Sequence, residues 1–305
     1  MKQHKIKVLS LLIASAVLYG CHDGDDSGST ESATVQAYDG PVRGMVATAA
    51  CDDDTTGEYK FTDDEGNINI TLPTFVNAPE TCGVSFVGGA NAVDMENGKS
   101  MVNVKYTAPK GLFKKGSKAT ASPMTTLIAK KLGNLPYDES TASEVLTALG
   151  LGEVFNNGIT IEEFLNNTQA SVAKLKSQTP ALFSKVSATK MILSDILTAQ
   201  PNADITKIAV ATQKLSNIIT QKYPNFPASG NKEIFINIID IVKDSAILDK
   251  LESLTEDQIK NELADLINKI DNPETAVPPT PTDPTDPTGT GTGTGTGSTG
   301  GGTGA

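Results

Sequence analysis

Histidine and tryptophan are scarce in this chain of 305 residues, and their scarcity excludes large classes of chemistry. The two histidines, His4 and His22, lie near the N-terminus, which excludes a Ser-His-Asp or Cys-His catalytic site and a histidine-ligated zinc hydrolase. Catalysis would have to rest on carboxylates, as in glycosidases, or on a Ser-Lys pair. Tryptophan, a common stacking surface in sugar clefts, does not occur, and acids spread along helices and turns are usually solvated. The composition therefore favours a protein that is not an enzyme and needs no cofactor.

A long hydrophobic run is also missing, and the short one at the N-terminus predicts an export signal. Three lysines precede an apolar run of about eleven residues, Val8 to Leu18, whereas a membrane-spanning helix needs about twenty. The following Leu18-Tyr19-Gly20-Cys21 resembles the bacterial lipobox, although Tyr19 departs from the small or aliphatic residue usual there. The resemblance implies that residues 1–20 are a lipoprotein signal peptide and that Cys21 is diacylated, with palmitate among its acyl chains. An ordinary cleaved signal with a free thiol at Cys21 is the alternative.

Residues 21–33 are rich in Asp, Ser and Gly, and we expect them to form a lipidated, flexible tether. Hydrocarbon chains supply membrane affinity of about 0.8 kcal/mol per buried CH₂, so the polypeptide itself can be water-soluble. Position 22 is not aspartate, the residue that favours retention at the inner membrane. The lipobox resemblance therefore implies the outer membrane, and we expect the cell surface rather than the periplasmic face.

Basic residues are too few for a nucleic-acid partner. Removal of the three lysines of residues 1–20 leaves 22 basic and 36 acidic residues, a net charge of −14. The chain shows no basic patch with interleaved aromatic residues, which excludes nucleic acid as a partner. Its long middle part has enough regularly spaced apolar residues to bury a core.

Cysteine is rare as well, and its three positions predict one disulfide. If Cys21 is acylated, Cys51 and Cys82 remain as a pair in a chain exported to an oxidising compartment, and we expect them to be bonded. A metal site is the alternative, but two cysteines without histidine make a poor zinc site. We therefore expect the protein to bind no metal ion at these cysteines.

Acidic residues near two turns offer a calcium site as a weaker hypothesis, since calcium prefers oxygen ligands from such loops. The spacing of these residues does not follow the EF-hand pattern, and solvated turns explain them equally well. The candidate ligands are Asp52, Asp54, Asp63 and Asp64.

Residues 34–110 predict a small antiparallel β-sandwich of five to seven short strands. In "GEYKFTDDEGNINITL", alternation of apolar and polar residues on both sides of an acidic turn predicts a β-hairpin. Further strands are expected at 42–49, 83–87 and 101–106.

The order of residues in this segment, "DGPVRGMVATAACDDDTTGEYKFTDDEGNINITL", resembles the carboxypeptidase-regulatory-like and Ig-like modules of bacterial surface proteins. The paired cysteines around an acidic turn are also similar to the N-terminal region of accessory colonization factor D-type lipoproteins. Those proteins carry a metalloprotease motif with two histidines that this chain lacks, so mucin degradation is not implied. The positions that match the module pattern are Gly40, Val42, Gly44, Thr62, Asp63, Gly66 and Ile68.

Residues 120–272 predict an all-α bundle of about seven helices. Ser122 is placed as an N-cap before Pro123, and Gly133 is placed as a C-terminal stop. The "SPMTTL" that begins at Ser122 resembles the "SPLTTL" segment that often follows β modules in exported lipoproteins of Gram-negative bacteria. Further starts are expected at Thr160, Thr179 and Thr255. Apolar stripes predict helices at 205–219, 234–242 and 259–270, and we expect these stripes to pack into the core rather than to bind a partner helix.

Residues 273–305, rich in Pro, Thr and Gly, predict a disordered tail. The predicted fold class is therefore α+β multidomain: a β-sandwich, then a helical bundle, then the tail. The hypothesis for function is a lipid-anchored outer-membrane surface protein that acts as a non-enzymatic binding or adhesion module. Its expected partners are the membrane, through the lipid, and a protein or glycan ligand. The alternative is a periplasmic accessory subunit for assembly or secretion of an envelope complex.

Overall fold

Strands dominate the first part of the chain in the computed structural model, which describes residues 31–281. The predicted signal peptide, Cys21, most of the predicted tether and the tail from residue 282 onward lie outside the described residues. The strands are β1 (Ala33–Ala37), β2 (Val42–Cys51), β3 (Thr56–Tyr59), β4 (Asn67–Ile70), β5 (Cys82–Asp94), β6 (Lys105–Ala108), β7 (Ala119–Ala121), β8 (Ala228–Ser229), β9 (Lys232–Phe235) and β10 (Glu274–Thr275).

Three small sheets are formed by these strands, in the orders β3-β2-β5-β6, β4-β1-β7 and β10-β9-β8. The long strands β2 and β5 pair antiparallel at the centre of the first sheet, and their register places Cys51 opposite Cys82. The two cysteines are bonded to each other, so the predicted disulfide is confirmed. It links the last residue of β2 to the first residue of β5.

The predicted hairpin around the acidic turn is wrong. Its two halves do become strands, but β3 pairs with β2 and β4 pairs with β1 in a different sheet. Phe61, expected on the buried face of the hairpin, is 62% exposed and has a positive φ of 57°. The chain therefore leaves one sheet between β3 and β4. The expected antiparallel pattern also has one exception, because β1 and β7 pair in parallel.

Helices follow the first seven strands, apart from α1, which lies between β4 and β5. Single 3₁₀ turns occur at Pro79–Thr81 and Gly152–Asn156. The α-helices are α1 (Pro73–Asn77), α2 (Pro123–Leu132), α3 (Glu139–Ala148), α4 (Ile161–Asn166), α5 (Thr168–Gln178), α6 (Pro180–Ala199), α7 (Ile205–Lys222), α8 (Ile239–Val242), α9 (Ser245–Ser253), α10 (Glu256–Glu262) and α11 (Ala264–Asp271).

Local capping chemistry sets several of these helix ends. Ser122 caps α2 in a reciprocal capping box with Thr125, Pro123 is the first helical residue, and Gly133 ends the helix at a φ of 62°. Thr255 caps α10 with a second capping box. These predicted starts and stops are confirmed because they depend on neighbours in the chain alone.

The helix predicted over 234–242 is wrong in its first half. Ile234 and Phe235 belong to β9, which pairs with β8 on one side and with β10 on the other, and only α8 is helical. The segment 120–272 is therefore not all-α. Because β10 adds to β9, residues 273–281, predicted as the start of the tail, lie against the body of the protein.

One buried apolar cluster includes residues of the first seven strands and of the later helices. Helix α2 packs against β6, and α6 packs against α2, α5, α7 and α8. The α+β class is thus confirmed, with α6 at the centre of the helical part. None of the helices within 31–281 has the length and apolar character required to cross a membrane.

Candidate binding cavity

A cavity of about 380 Å³ lies where the strand-rich part meets α5, α6, β9 and the residues that follow β10. Part of its lining is apolar, here called the apolar wall. Another part, here called the charged wall, carries charged side chains from the loop after β1, the end of β5, the loop after β5 and helix α6. The apolar wall includes Val172, Phe183, Met191, Phe226 and Ile234. The charged wall includes Asp39, Asp94, Glu96, Lys99 and Lys190.

Lys190, on α6, is the centre of the charged wall, with a side chain only 6% exposed. Its ammonium group donates to the backbone carbonyl of Asp39 and contacts Glu96 Oε2 at 3.2 Å, and it lies 5.0 Å from the centroid of the Tyr38 ring. Burial disfavours its charge, but the surrounding acidic groups outweigh burial and raise the pKa of Lys190 above its usual value. Lys190 is therefore a fixed cation.

Asp39 lies at the inner end of the charged wall and is 4% exposed. Its Oδ2 accepts a hydrogen bond from the Tyr106 hydroxyl at 3.1 Å, and that hydroxyl is also 2.9 Å from Ser194 Oγ. Its Oδ1 has no hydrogen-bond partner in the structure. Burial raises the pKa of Asp39, although Lys190 and Lys99 oppose the shift. A buried acceptor without a partner is costly, which marks Asp39 as a position with a role beyond packing.

Lys99 and Asp195 form a second buried contact beside Asp39. The Lys99 ammonium group donates to Asp195 Oδ1, and Asp195 Oδ2 accepts the backbone N–H of Ile238 at 2.9 Å. Burial raises the pKa of Asp195, while the neighbouring Lys99 opposes that shift. The pair connects the loop after β5 to helix α6.

Asp94, the last residue of β5, is the group most able to change charge near neutral pH. Its oxygens accept from the Glu96 backbone N–H and the Asn97 side chain, each at 2.8 Å. Burial, reinforced by the negative charges of Glu96 and Asp39, raises the pKa of Asp94 to about 7, although Lys190 opposes the shift.

The C-terminal residues of the described chain close one side of the cavity. Ala276 N–H donates to the Glu233 carbonyl at 2.9 Å, and Val277 N–H donates to the Asn97 carbonyl at 3.0 Å. Ala276 and Pro278 line the cavity between these contacts. This segment, 274–278, therefore joins β9 to the loop after β5 across the cavity.

The arrangement suits a ligand with both apolar and polar groups. A concave site with an apolar surface and a few convergent polar groups is the usual form of a ligand pocket. The lining carries acidic and basic side chains in nearly equal number: Asp39, Asp94, Glu96, Glu233, Lys99, Lys176 and Lys190.

The residues predicted as sites lie away from this cavity. Within 31–281, the structure holds no group of three or more His, Cys, Asp or Glu side chains able to bind a metal ion. Asp52 pairs with Lys110 at 2.7 Å and Asp64 with Arg43 at 2.9 Å, while Asp63 accepts from the Asn67 N–H. Asp54 lies in the turn after β2. The calcium hypothesis stays a prediction, without a ligand cluster to support it.

Sequence reasoning missed the cavity because it treated isolated acids as solvated. Asp39, Asp94 and Asp195 are instead between 1% and 4% exposed. One signal was available in "KVSATKMILSDIL", where Lys190 and Asp195 interrupt an otherwise apolar or small run in a helix that is buried from Val186 to Leu197. Charges within such a helix need partners, since ionised groups are rarely buried alone.

Comparisons of this chain with family models, curated proteins and solved structures gave no significant match. The cavity must therefore be interpreted from its own chemistry.

Proposed function

We propose that this protein is a lipid-anchored outer-membrane surface protein that binds a protein segment or a glycan and catalyses no reaction on it. The observation that carries the proposal is the cavity of about 380 Å³, which is lined by both apolar and charged side chains. A protein side chain or a sugar offers the matching combination of apolar surface and hydrogen-bonding groups.

The contacts of the charged wall favour binding over turnover. A general acid or base must present its reactive atom to the substrate. Lys190, Lys99 and Asp94 instead direct their polar atoms at groups of the protein itself. Such a wall holds its polar groups in place for recognition.

Anchoring through Cys21 is supported by the fate of the other two cysteines. Cys51 and Cys82 are bonded to each other, which fits an oxidising compartment and leaves Cys21 as the third cysteine of the chain. In this proposal, residues 34–110 act as a sandwich module and residues 120–272 as a helical body. The change from strands to helices between β7 and α2 supports this division.

A substitution at the cavity wall tests the binding role. Ala173, on α5, is exposed and lines the cavity, so in Ala173→Trp the large ring is expected to fill part of it. Ala170, one turn earlier and also exposed, lies outside the cavity lining, and Ala170→Trp is the matched control. The probes are an array of glycans and a panel of immobilised extracellular-matrix proteins, tested with the non-lipidated Cys21→Ser protein.

We expect the Cys21→Ser protein to bind at least one probe and Ala173→Trp to weaken that binding about tenfold or more, a loss of about 1.4 kcal/mol. Ala170→Trp should bind as the parent does. Equal binding by both tryptophan variants would show that the ligand does not bind in the cavity. Binding of the Cys21→Ser protein to none of the probes would count against both a glycan ligand and a protein ligand outside the cell.

A further inference from the structure

The contact between Lys99 and Asp195 differs from the other ion pairs of residues 31–281 because both side chains are buried, at 3% and 1% exposed. Removing an ammonium and a carboxylate from water costs several kcal/mol for each ion. An amide formed between the two groups would remove both charges and with them this cost.

The carboxyl group of Asp195 is held by one contact on each of its oxygens, and one of these contacts is with the lysine. Oδ1 contacts Lys99 Nζ, while Oδ2 accepts the Ile238 backbone N–H at 2.9 Å. If Nζ adds to Cγ, negative charge develops on Oδ2, where that N–H stabilises it. The raised pKa of Asp195, caused chiefly by burial, favours the neutral acid.

Asp39 supplies a third group with the right chemistry. It interacts electrostatically with both Lys99 and Asp195. Its Oδ2 is held by the Tyr106 hydroxyl at 3.1 Å, and its Oδ1 is buried without a partner. A carboxyl group in this position can carry protons from the lysine nitrogen to a departing oxygen.

We propose that Lys99 and Asp195 become joined by an intramolecular amide bond, which forms autocatalytically once the chain has folded. The Nζ–Cγ bond forms and the Cγ–Oδ1 bond breaks, and Oδ1 leaves as water with two protons that come from the lysine ammonium group. The ion pair is thereby converted to an amide and one water molecule, without any oxidant, reductant or other reactant.

The bond would have two structural consequences. It removes two buried charges and covalently joins the loop after β5 to helix α6, across 96 positions of the chain. A permanent link of this kind resists proteolysis and mechanical stress, both of which act on a protein at the cell surface.

Intact mass spectrometry of the full mature protein, purified from cells, reduced and denatured, tests the proposal. We expect the mass to be lower than the mass calculated from the sequence and the N-terminal modification by one water molecule. The difference should disappear in Lys99→Arg, which keeps the positive charge, and in Asp195→Ala. Tryptic digestion should yield a branched peptide in which residue 99 is linked to residue 195. Wild-type protein at its full calculated mass would overturn the proposal whether or not any variant folds.

The role of Asp39 is tested by the rate at which the mass decreases after synthesis. Asp39→Asn keeps the shape of the side chain but removes the acid, and we expect the bond to form about 100-fold more slowly. Asp39→Glu restores a carboxyl group and should recover part of the rate. If Asp39→Asn forms the bond as fast as wild type, Asp39 does not act as the proton carrier.

Discussion

Lys190→Met is expected to destabilise the protein by about 3–5 kcal/mol at pH 7, because it leaves buried carboxyl groups without their counter-charge. Lys190 lies against Asp39 and Glu96 and is 6% exposed. Methionine fills a similar volume, so most of the loss comes from charge rather than from packing. The free energy of unfolding in urea, measured with the disulfide intact, gives the effect directly.

Lys207→Met is the matched control for this prediction. Lys207 is 36% exposed and pairs with Asp249 at the surface, and such pairs contribute about 0–1 kcal/mol. The loss in Lys190→Met should also shrink toward pH 4, where Asp94, whose pKa is raised to about 7, is neutral. Equal effects of the two substitutions would show that Lys190 carries no special electrostatic role.

The free energy of unfolding should fall as pH rises from about 4 to about 7, and Asp94 contributes to this fall. Its pKa is raised from 3.8 to about 7 in the folded protein. Between these values the folded state keeps a proton that the unfolded state has lost, so raising the pH favours unfolding. The slope is about 1.4 kcal/mol per pH unit for one proton. Above pH 7 the contribution of Asp94 is lost and the curve levels off.

Asp94→Asn removes this titration and should reduce the slope between pH 4 and pH 7. Asp39, whose pKa is also raised by burial, keeps a slope of the same sign. Asp138→Asn is a useful control, since hydrogen bonds with Ser140 and Thr141 lower the pKa of Asp138 to about 2. Its contribution to the slope lies between about pH 2 and pH 3.8, so the substitution should leave the slope from pH 4 to pH 7 unchanged. A wild-type curve that rises from pH 4 to pH 7 would contradict the account.

Local signals in the sequence predicted the ends of elements well, and pairing between distant segments poorly. Ser122, Pro123 and Gly133 set the limits of α2 because caps depend on a few adjacent residues. The alternation in β3 and β4 was correctly interpreted as strand structure, but it holds no information about which strand lies alongside. Their partners, β2 and β1, come from elsewhere in the chain.

The cavity could not be predicted for the same reason. Asp39, Asp94, Lys99 and Lys190 occur in four separate segments, and each looks like a surface residue within its own segment. Helix α6 is buried on nearly all sides, and this packing places Lys190 beside the other three residues. The apolar stripe at 234–242 failed as a helix because β10 supplies a neighbouring strand from beyond Asn272. A pattern of apolar residues alone does not contain that contact.

Protease treatment of intact cells, beside cells with an opened outer membrane, tests the central claim most directly. Wild-type protein is predicted to be cleaved on intact cells, and Cys21→Ser is predicted to be absent from the cell surface and to appear in the soluble fraction. Protection of the wild-type protein until the outer membrane is opened would contradict surface display. That result would instead favour a periplasmic accessory subunit of an envelope complex.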